Sequence, residues 1–278
     1  MLSTHAEMNQ INYAKNAITH GELGLNSTLF LAYRDLPILI KKYLLPKLEK
    51  TKIRVLDVGC GAGLSTELIC KILTMEKLEG EFYGLDISKD NLELAKKRVP
   101  FAKFIQTNDL IDENLLKNFD LVICNFVLVE NTQTNMIALL KNIHSYLNKT
   151  GIAIITNCAI AAYKKDNKWY TFNNDFPENT PQTSINGKDK FAEDQPIKVE
   201  VFTSYKSPLS FTFFDFFHSG AAYKNTYEAV GLELLKTHKP IGKESDNIAW
   251  LDEVVKSPYK IHVVSKMDLP SKELRKVF

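Results

Sequence analysis

The stretch Val55-Leu56-Asp57-Val58-Gly59-Cys60-Gly61-Ala62-Gly63-Leu64 constrains this chain more than any other. A short β-branched apolar run from Ile53 ends in three glycines, after which Leu64, Leu68, Ile69, Ile72 and Leu73 recur at helical spacing. That order predicts a buried parallel strand, a tight loop and a helix. Glycine at such a loop lets a ligand approach the backbone closely, because no Cβ stands in the way. A dinucleotide fingerprint would space its glycines G-x-G-x-x-G, but here the spacing is G-x-G-x-G and Leu64 occupies the third position. Asp57 at the strand end would repel a pyrophosphate and suit a cationic amino group. The loop therefore favours a zwitterionic ligand.

Four more units follow in the same rhythm. EFYGLDIS reads as a second strand, with Ser88 capping the next helix and Asp90 in its first turn. AKFIQTND is a third strand and FDLVICNF a fourth. Ile137, Leu140, His144 and Leu147 mark a helix leading to a fifth strand, GIAIITN. LELLKTHKPI and YKIHVVSK read as the last two, so the expected fold is α/β, a doubly wound, mostly parallel seven-stranded sheet. The segment from Gly242 to Ser257 is long enough for either a hairpin or a crossover.

Residues 1–50 are expected to form an N-terminal helical cap, with Pro37 starting a second helix. Residues 51–278 would then form the main domain. The aperiodic, aromatic-rich stretch after the fifth strand is too long for an ordinary connection and predicts a lid or substrate-binding insertion at about 163–218. Within it VEVFTSY and LSFTFFDFF look like strands; beyond it Ser219 caps a helix that Gly231 stops.

Composition narrows the function classes. Of 278 residues, 45% are hydrophobic and 24% charged, and the net charge of +2 comes without any long basic block, which argues against a nucleic-acid partner. Cys60, Cys70, Cys124 and Cys158 show no CxxC spacing, so reduced thiols and no metal site are expected. The start MLSTHAEMNQINY lacks a signal-peptide pattern and no run is long enough for a membrane span, giving an expected cytoplasmic location and no membrane partner. Oligomeric state stays open.

Asp86, at the end of GLD, stands where an acidic side chain in a doubly wound sheet accepts hydrogen bonds from ribose hydroxyls. Taken together, VLDVGCGAG, GLDIS, the QTNDL end of the third strand and FDLVICNFVL resemble the class I S-adenosylmethionine-dependent methyltransferases of small-molecule type, over roughly residues 50–160. The resemblance implies S-adenosylmethionine as cofactor. It implies that Gly59, Gly61 and Gly63, with Cys60 in the same loop, line the methionine part, that Asp86 holds the ribose and that Ile87 packs on the adenine. Asp109, flanked by Asn108 and Leu110, would meet the adenine amine, and Asn125 with Phe126 would border the cofactor below the reacting methyl. The N-terminal cap would close over this cleft, with Arg34 pairing the methionine carboxylate bidentately and Tyr13 joining it.

Methyl transfer from a sulfonium is an in-line displacement in which positioning is the enzyme's main task. The fourth strand continues Asn125-Phe126-Val127-Leu128, without the Pro-Pro-aromatic of base-amine enzymes, and Cys124 follows Ile123 rather than the proline of cytosine-carbon enzymes. A small-molecule acceptor is expected, walled by Trp169, Tyr170, Phe172 and Phe176 and by the segment from Phe211 to His218. His218 is the candidate general base, with Asp215 nearby. Two other readings remain: a protein or RNA methyltransferase with an open acceptor surface, and a non-catalytic cofactor-binding protein.

Overall fold

The fourth strand shows why the sheet lies where it does: every residue of β4 (Phe119–Asn125) is buried, the pattern of a strand covered on both faces. The computed structural model describes His5, Asn9 and residues 23–107, 115–185 and 188–267. Tyr13, Asn108, Asp109 and Leu110 lie outside the described residues. Around β4 run β1 (Lys52–Val58), β2 (Glu79–Asp86), β3 (Lys103–Gln106), β5 (Leu147–Cys158), β11 (Leu232–His238) and β12 (Tyr259–Lys266), in the order β11-β12-β5-β4-β1-β2-β3. β1 to β5 pair in parallel, whereas β12 is antiparallel to both β5 and β11. The connection between β11 and β12, open in the sequence, is thus a hairpin.

Alternation along these strands feeds two cores. Leu56, Val58, Val122 and Cys124 pack with Met136, Leu140 and Ile143 of α5 (Gln133–Tyr146) and with Tyr223 and Tyr227 of α6 (Gly220–Ala229). On the opposite face Ile53, Val55, Leu121 and Ile123 meet α2 (Leu36–Tyr43) and α3 (Leu64–Met75) through Leu36, Ile40, Ile69 and Leu73. Pro37 lies in the first turn of α2, which follows the four-residue α1 (Phe30–Tyr33), and Ser88 caps α4 (Lys89–Arg98) by accepting from the Asn91 amide. Among the described residues no helix is long and apolar enough to cross a membrane.

The insertion after β5 is a small structure of its own. β6 (Phe172–Asn173), β9 (Pro196–Phe202) and β10 (Ser210–Phe216) form an antiparallel sheet, and β7 (Thr183–Ile185) pairs with β8 (Lys188–Lys190). Register sets Phe211 opposite Val201, Phe213 opposite Val199 and Asp215 opposite Ile197, so these six share one face. The other face carries Phe214 and Phe216, against which the His5 ring packs edge-on at 4.6 and 6.4 Å between centroids. The Asn9 side chain accepts from the Phe214 amide and donates to its carbonyl, both at 2.7 Å.

One buried carboxylate ties the insertion to the rest. Glu253, fully buried, accepts from the Thr28 hydroxyl at 2.9 Å, the Tyr170 amide at 2.7 Å and the Leu251 amide at 3.0 Å. The segment before α1, the start of the insertion and the β11–β12 hairpin therefore converge on a single side chain.

Candidate active site

A cavity of about 730 Å³ opens over the carboxyl ends of β1, β2 and β4, within the size range of small-molecule sites. Its floor is the glycine loop. Gly59, Gly61 and Gly63 all adopt positive φ, at 69, 50 and 82°, a region that costs an L-residue strain. A Cβ on Gly59 would come within 2.2 Å of Val127 Cγ2, so the backbone there must stay bare. Gly59 and Gly61 line the cavity, together with Cys60. Gly63 is not part of the lining; it precedes α3 and packs against Ala95 of α4. The Gly59 and Cys60 amides both donate to the Leu85 carbonyl, fastening the loop to the end of β2.

Asp57 stands behind this loop. Its Oδ2 accepts from the Ser65 hydroxyl at 2.5 Å and the Thr66 hydroxyl at 2.6 Å, which joins the end of β1 to the first turn of α3. It is buried and does not line the cavity, so a direct contact with a cationic amino group is replaced by support of the loop. Burial pushes its carboxyl up to about 6 against the pull of the two hydroxyls.

Asp86 does line the cavity. Its two oxygens accept from the Gly61 amide and the Ser88 amide, each at 2.8 Å, with further lone pairs left to accept from a ligand. Burial raises its pKa, opposed by those backbone donors. Ile87 beside it is 42% exposed, an apolar side chain uncovered at the cavity rim.

At the end of β4, Asn125 is buried in the cavity wall with neither amide atom of its side chain hydrogen-bonded. A buried polar group left so costs about 1–3 kcal/mol, and is a reason to look for a ligand. Phe126 follows at φ 62°, uncommon for a non-glycine residue, and its ring meets Tyr259 edge-on at 5.1 Å. The bare glycine loop, the Asp86 lone pairs and the unpaired Asn125 amide fit a ligand with amino-acid and nucleoside parts.

The opposite wall comes from the insertion. Phe172, Val199, Val201, Phe211 and Phe213 line it, while Trp169 stacks on Phe172 at 5.6 Å in the insertion's own core. Tyr170 stacks on Tyr205 and Phe176 lies under the Lys198 ammonium, so neither is in the lining. Asp215 joins this wall, fully buried. Its Oδ2 accepts from the Tyr163 hydroxyl at 2.9 Å and its Oδ1 has no hydrogen-bond partner. Burial pushes the carboxyl up to about 7, against the pull of Cys158 and Tyr163.

Two expected side chains stand elsewhere. His218 does not line the cavity: its Nε2 donates to the Asn131 carbonyl at 2.8 Å, and its Nδ1 lies 3.7 Å from Asp194 and 3.9 Å from Glu193. The physical reason is a β-strand alternation that ends at Phe216, leaving His218 in the turn before α6. Arg34 is committed to Asp35 and Asp246 at 2.8 and 2.9 Å and to the Ile241 carbonyl, not to a carboxylate in the cavity. The Arg34 guanidinium in turn holds the Asp35 carboxyl well below the usual range.

Residues that the sequence did not single out complete the cavity. Tyr33 and Leu29 come from the helical cap, and Tyr259 stands at the start of β12 opposite Cys158. Tyr259 carries no sequence signal, because its place depends on the antiparallel insertion of β12 beside β5.

The family model described as a methyltransferase domain matches residues 49–202. The ubiquinone biosynthesis O-methyltransferase of Pelagibacter ubique is 32% identical over 123 residues, 43% of this chain and 46% of that protein. The trans-aconitate 2-methyltransferase of Afipia carboxidovorans is 41% identical over 64 residues, 23% of each chain. The chain thus aligns with less than half the length of these curated relatives. In fold it is similar to an S-adenosylmethionine-dependent methyltransferase from Clostridium acetobutylicum, at TM-score 0.54 and 13% identity over 94% of this chain and 99% of that one. A DhpI–SAH complex is similar at TM-score 0.54 and 12% identity, covering 95% and 98%. The glycine loop, the strand order and the match over 49–202 agree, and the chain belongs to the methyltransferase-domain family, the class I S-adenosylmethionine-dependent methyltransferases.

Proposed function

We propose that this chain transfers a methyl group from S-adenosylmethionine to a small-molecule acceptor, not to nucleic acid. One observation carries the reading: a single cavity joins a polar half, built on the glycine loop, Asp86 and Asn125, to an apolar half built by the insertion, with Asp215 in that second wall. When bound, S-adenosylmethionine supplies an electrophilic methyl on a sulfonium. Gly59, Cys60 and Gly61 offer backbone to its methionine part, Asp86 accepts from the ribose hydroxyls, and Ile87 covers the adenine, with Asn108, Asp109 and Leu110 as further adenine candidates and Tyr13 as a candidate from the cap. Asn125 and Phe126 border the junction of the two halves. Gly63 and Asp57 act through the loop they hold.

On the acceptor side, Phe172, Phe211 and Phe213 exclude water and orient a ligand. Asp215 Oδ1 receives the proton the acceptor loses, and a carboxyl near 7 suits that role at neutral pH. His218, outside the cavity lining and bonded to the Asn131 carbonyl, takes no part in that proton transfer. The relatives named above, whose names give small-molecule acceptors, support the same class.

The test is product analysis with labelled S-adenosylmethionine and a metabolite extract, alongside protein and RNA fractions. Label in small molecules is the expected result. Label confined to macromolecules would favour the open-surface reading, and none at all the non-catalytic one.

A further inference from the structure

The face of β10 that lines the cavity reads Phe211, Phe213, Asp215, with Val199 and Val201 beside it on β9. The third place of an apolar row is held by a carboxyl. An acid fully buried in such a wall is costly. Tyr163 satisfies Oδ2 only, and it comes from the short turn Ile160–Tyr163 directly after β5, which fixes which oxygen is covered. Oδ1 is left without a partner. The remainder of this half is mainly aromatic or aliphatic, with Phe126, Phe172 and Tyr259 closing it and the Cys158 thiol, Thr171 and Asn9 as its uncharged polar groups.

Charge on the rest of the lining points the same way. Among the described residues the lining cations are Lys89 and Arg98, and both belong to α4, on the cofactor side. Lys260 is buried, donates to the His218 carbonyl and stands 4.1 Å over the Tyr223 ring instead of lining the cavity. A polyanionic acceptor would meet a carboxyl and apolar walls with no described cation to offset its desolvation.

We infer that the acceptor is an apolar, ring-bearing small molecule presenting one O–H or N–H donor to Asp215 Oδ1, and that polycarboxylates are rejected. The inference rests on the methyl-transfer reading and narrows its substrate class. Tyr163 is a positioning residue: by occupying Oδ2 it leaves a single oxygen for the acceptor, which fixes where the nucleophile sits. Burial keeps the Asp215 carboxyl near 7, so a neutral partner donating to it is the low-cost arrangement at physiological pH.

The experiment uses the full chain saturated with S-adenosylhomocysteine, titrated in a calorimeter with 4-propylphenol, 4-propylaniline and trans-aconitate, the first two both uncharged at neutral pH. The phenol or the amine should bind, the better of the two identifying the donor, and trans-aconitate should not. Asp215→Leu should weaken that binding about tenfold, and Asp215→Asn, which keeps an accepting oxygen, should retain most of it for the phenol. Tyr163→Phe, which uncovers Oδ2, should narrow the difference in affinity between phenol and amine. Binding of trans-aconitate, binding of neither apolar probe, or an Asp215→Leu variant with unchanged affinity would each overturn the inference while S-adenosylhomocysteine still binds. Failure of S-adenosylhomocysteine itself to bind would remove the methyl-transfer reading and this inference together.

Discussion

The two halves of the cavity are built from different material. The cofactor half is mostly backbone: glycines at positive φ, amides turned onto Asp86 and Leu85, and strand ends held in register by β1 and β2. The acceptor half is mostly side chain: an antiparallel sheet whose cavity-facing row of Phe and Val could be exchanged for others of similar size without disturbing its ladder. Backbone geometry demands particular residues, and side-chain walls demand only a character. Substitutions should therefore be severe and specific in the first half, and mild, acceptor-dependent in the second.

The largest effect is expected at Gly59. Gly59→Val would force an L-residue to φ 69° and set its Cβ into Val127, so affinity for S-adenosylhomocysteine should fall by about 100-fold, roughly 3 kcal/mol. Calorimetry on the folded variant checks it. Near-normal binding would break the contrast at its strongest point, because the loop would then tolerate a side chain.

Next comes Asp86→Ala. It removes hydrogen bonds to a ligand and releases the Gly61 and Ser88 amides, a loss of about 1.5–3 kcal/mol for each charge-assisted bond before water compensates. Cofactor affinity should drop by about 10- to 100-fold. An unchanged value would put the ribose elsewhere.

These residues were legible in the sequence because their constraint is local. The spacing of Gly59, Gly61 and Gly63 and the acid at the end of the next strand need no tertiary information. The parallel direction of β1 to β5 follows from the alternation of strand and helix, whereas the place of β12 was open because Gly242 to Ser257 is long enough for either a hairpin or a crossover. Tyr259 stands beside Cys158 in the cavity only through the pairing of β12 with β5, and Tyr33 reaches it only through the packing of α1. Arg34 shows the converse. A guanidinium near a cleft suggests a ligand carboxylate, but Asp35 and Asp246 are nearer and already buried.

Asp215→Asn sharpens the contrast. S-adenosylhomocysteine affinity should change by less than about twofold, while methyl transfer falls about tenfold or more and loses its rise with pH near 7. Stability carries an independent sign. An unfolded aspartate gives up its proton near 3.8 and the folded one near 7, so between these values the folded chain binds more protons and stability falls as pH rises. Above that window the penalty is complete, at most about 4 kcal/mol. The Asn variant should therefore unfold at a higher temperature than the parent at pH 8, with the difference vanishing towards pH 4. A difference between parent and variant that stays constant across that window would contradict the buried, uncompensated carboxyl.

The smallest effect on turnover is expected at His218. Its Nε2 faces a carbonyl, which accepts only, so Nε2 carries the proton and Nδ1 is the bare nitrogen. Burial lowers the pKa of the ring, and the Asn131 bond and the carboxylates of Asp194 and Glu193 oppose that shift without overcoming it. The folded chain therefore holds His218 neutral where an unfolded histidine near 6.5 would protonate, so its contribution to stability is full above that value and lost as pH falls. The ring joins Asn131, beside the cofactor half, to the turn that leads out of the acceptor sheet, which makes it a strut between the two regions. His218→Asn should leave kcat and its pH profile near those of the parent, cost about 1 kcal/mol of stability at neutral pH, and cost less in acid, where the parent has already lost part of its own. Stopped-flow single turnovers and melting curves at pH 5 and pH 8 separate the two quantities. A large fall in the chemical step with stability intact would return His218 to the reaction, and would mean that the strut moves into the cavity when an acceptor binds.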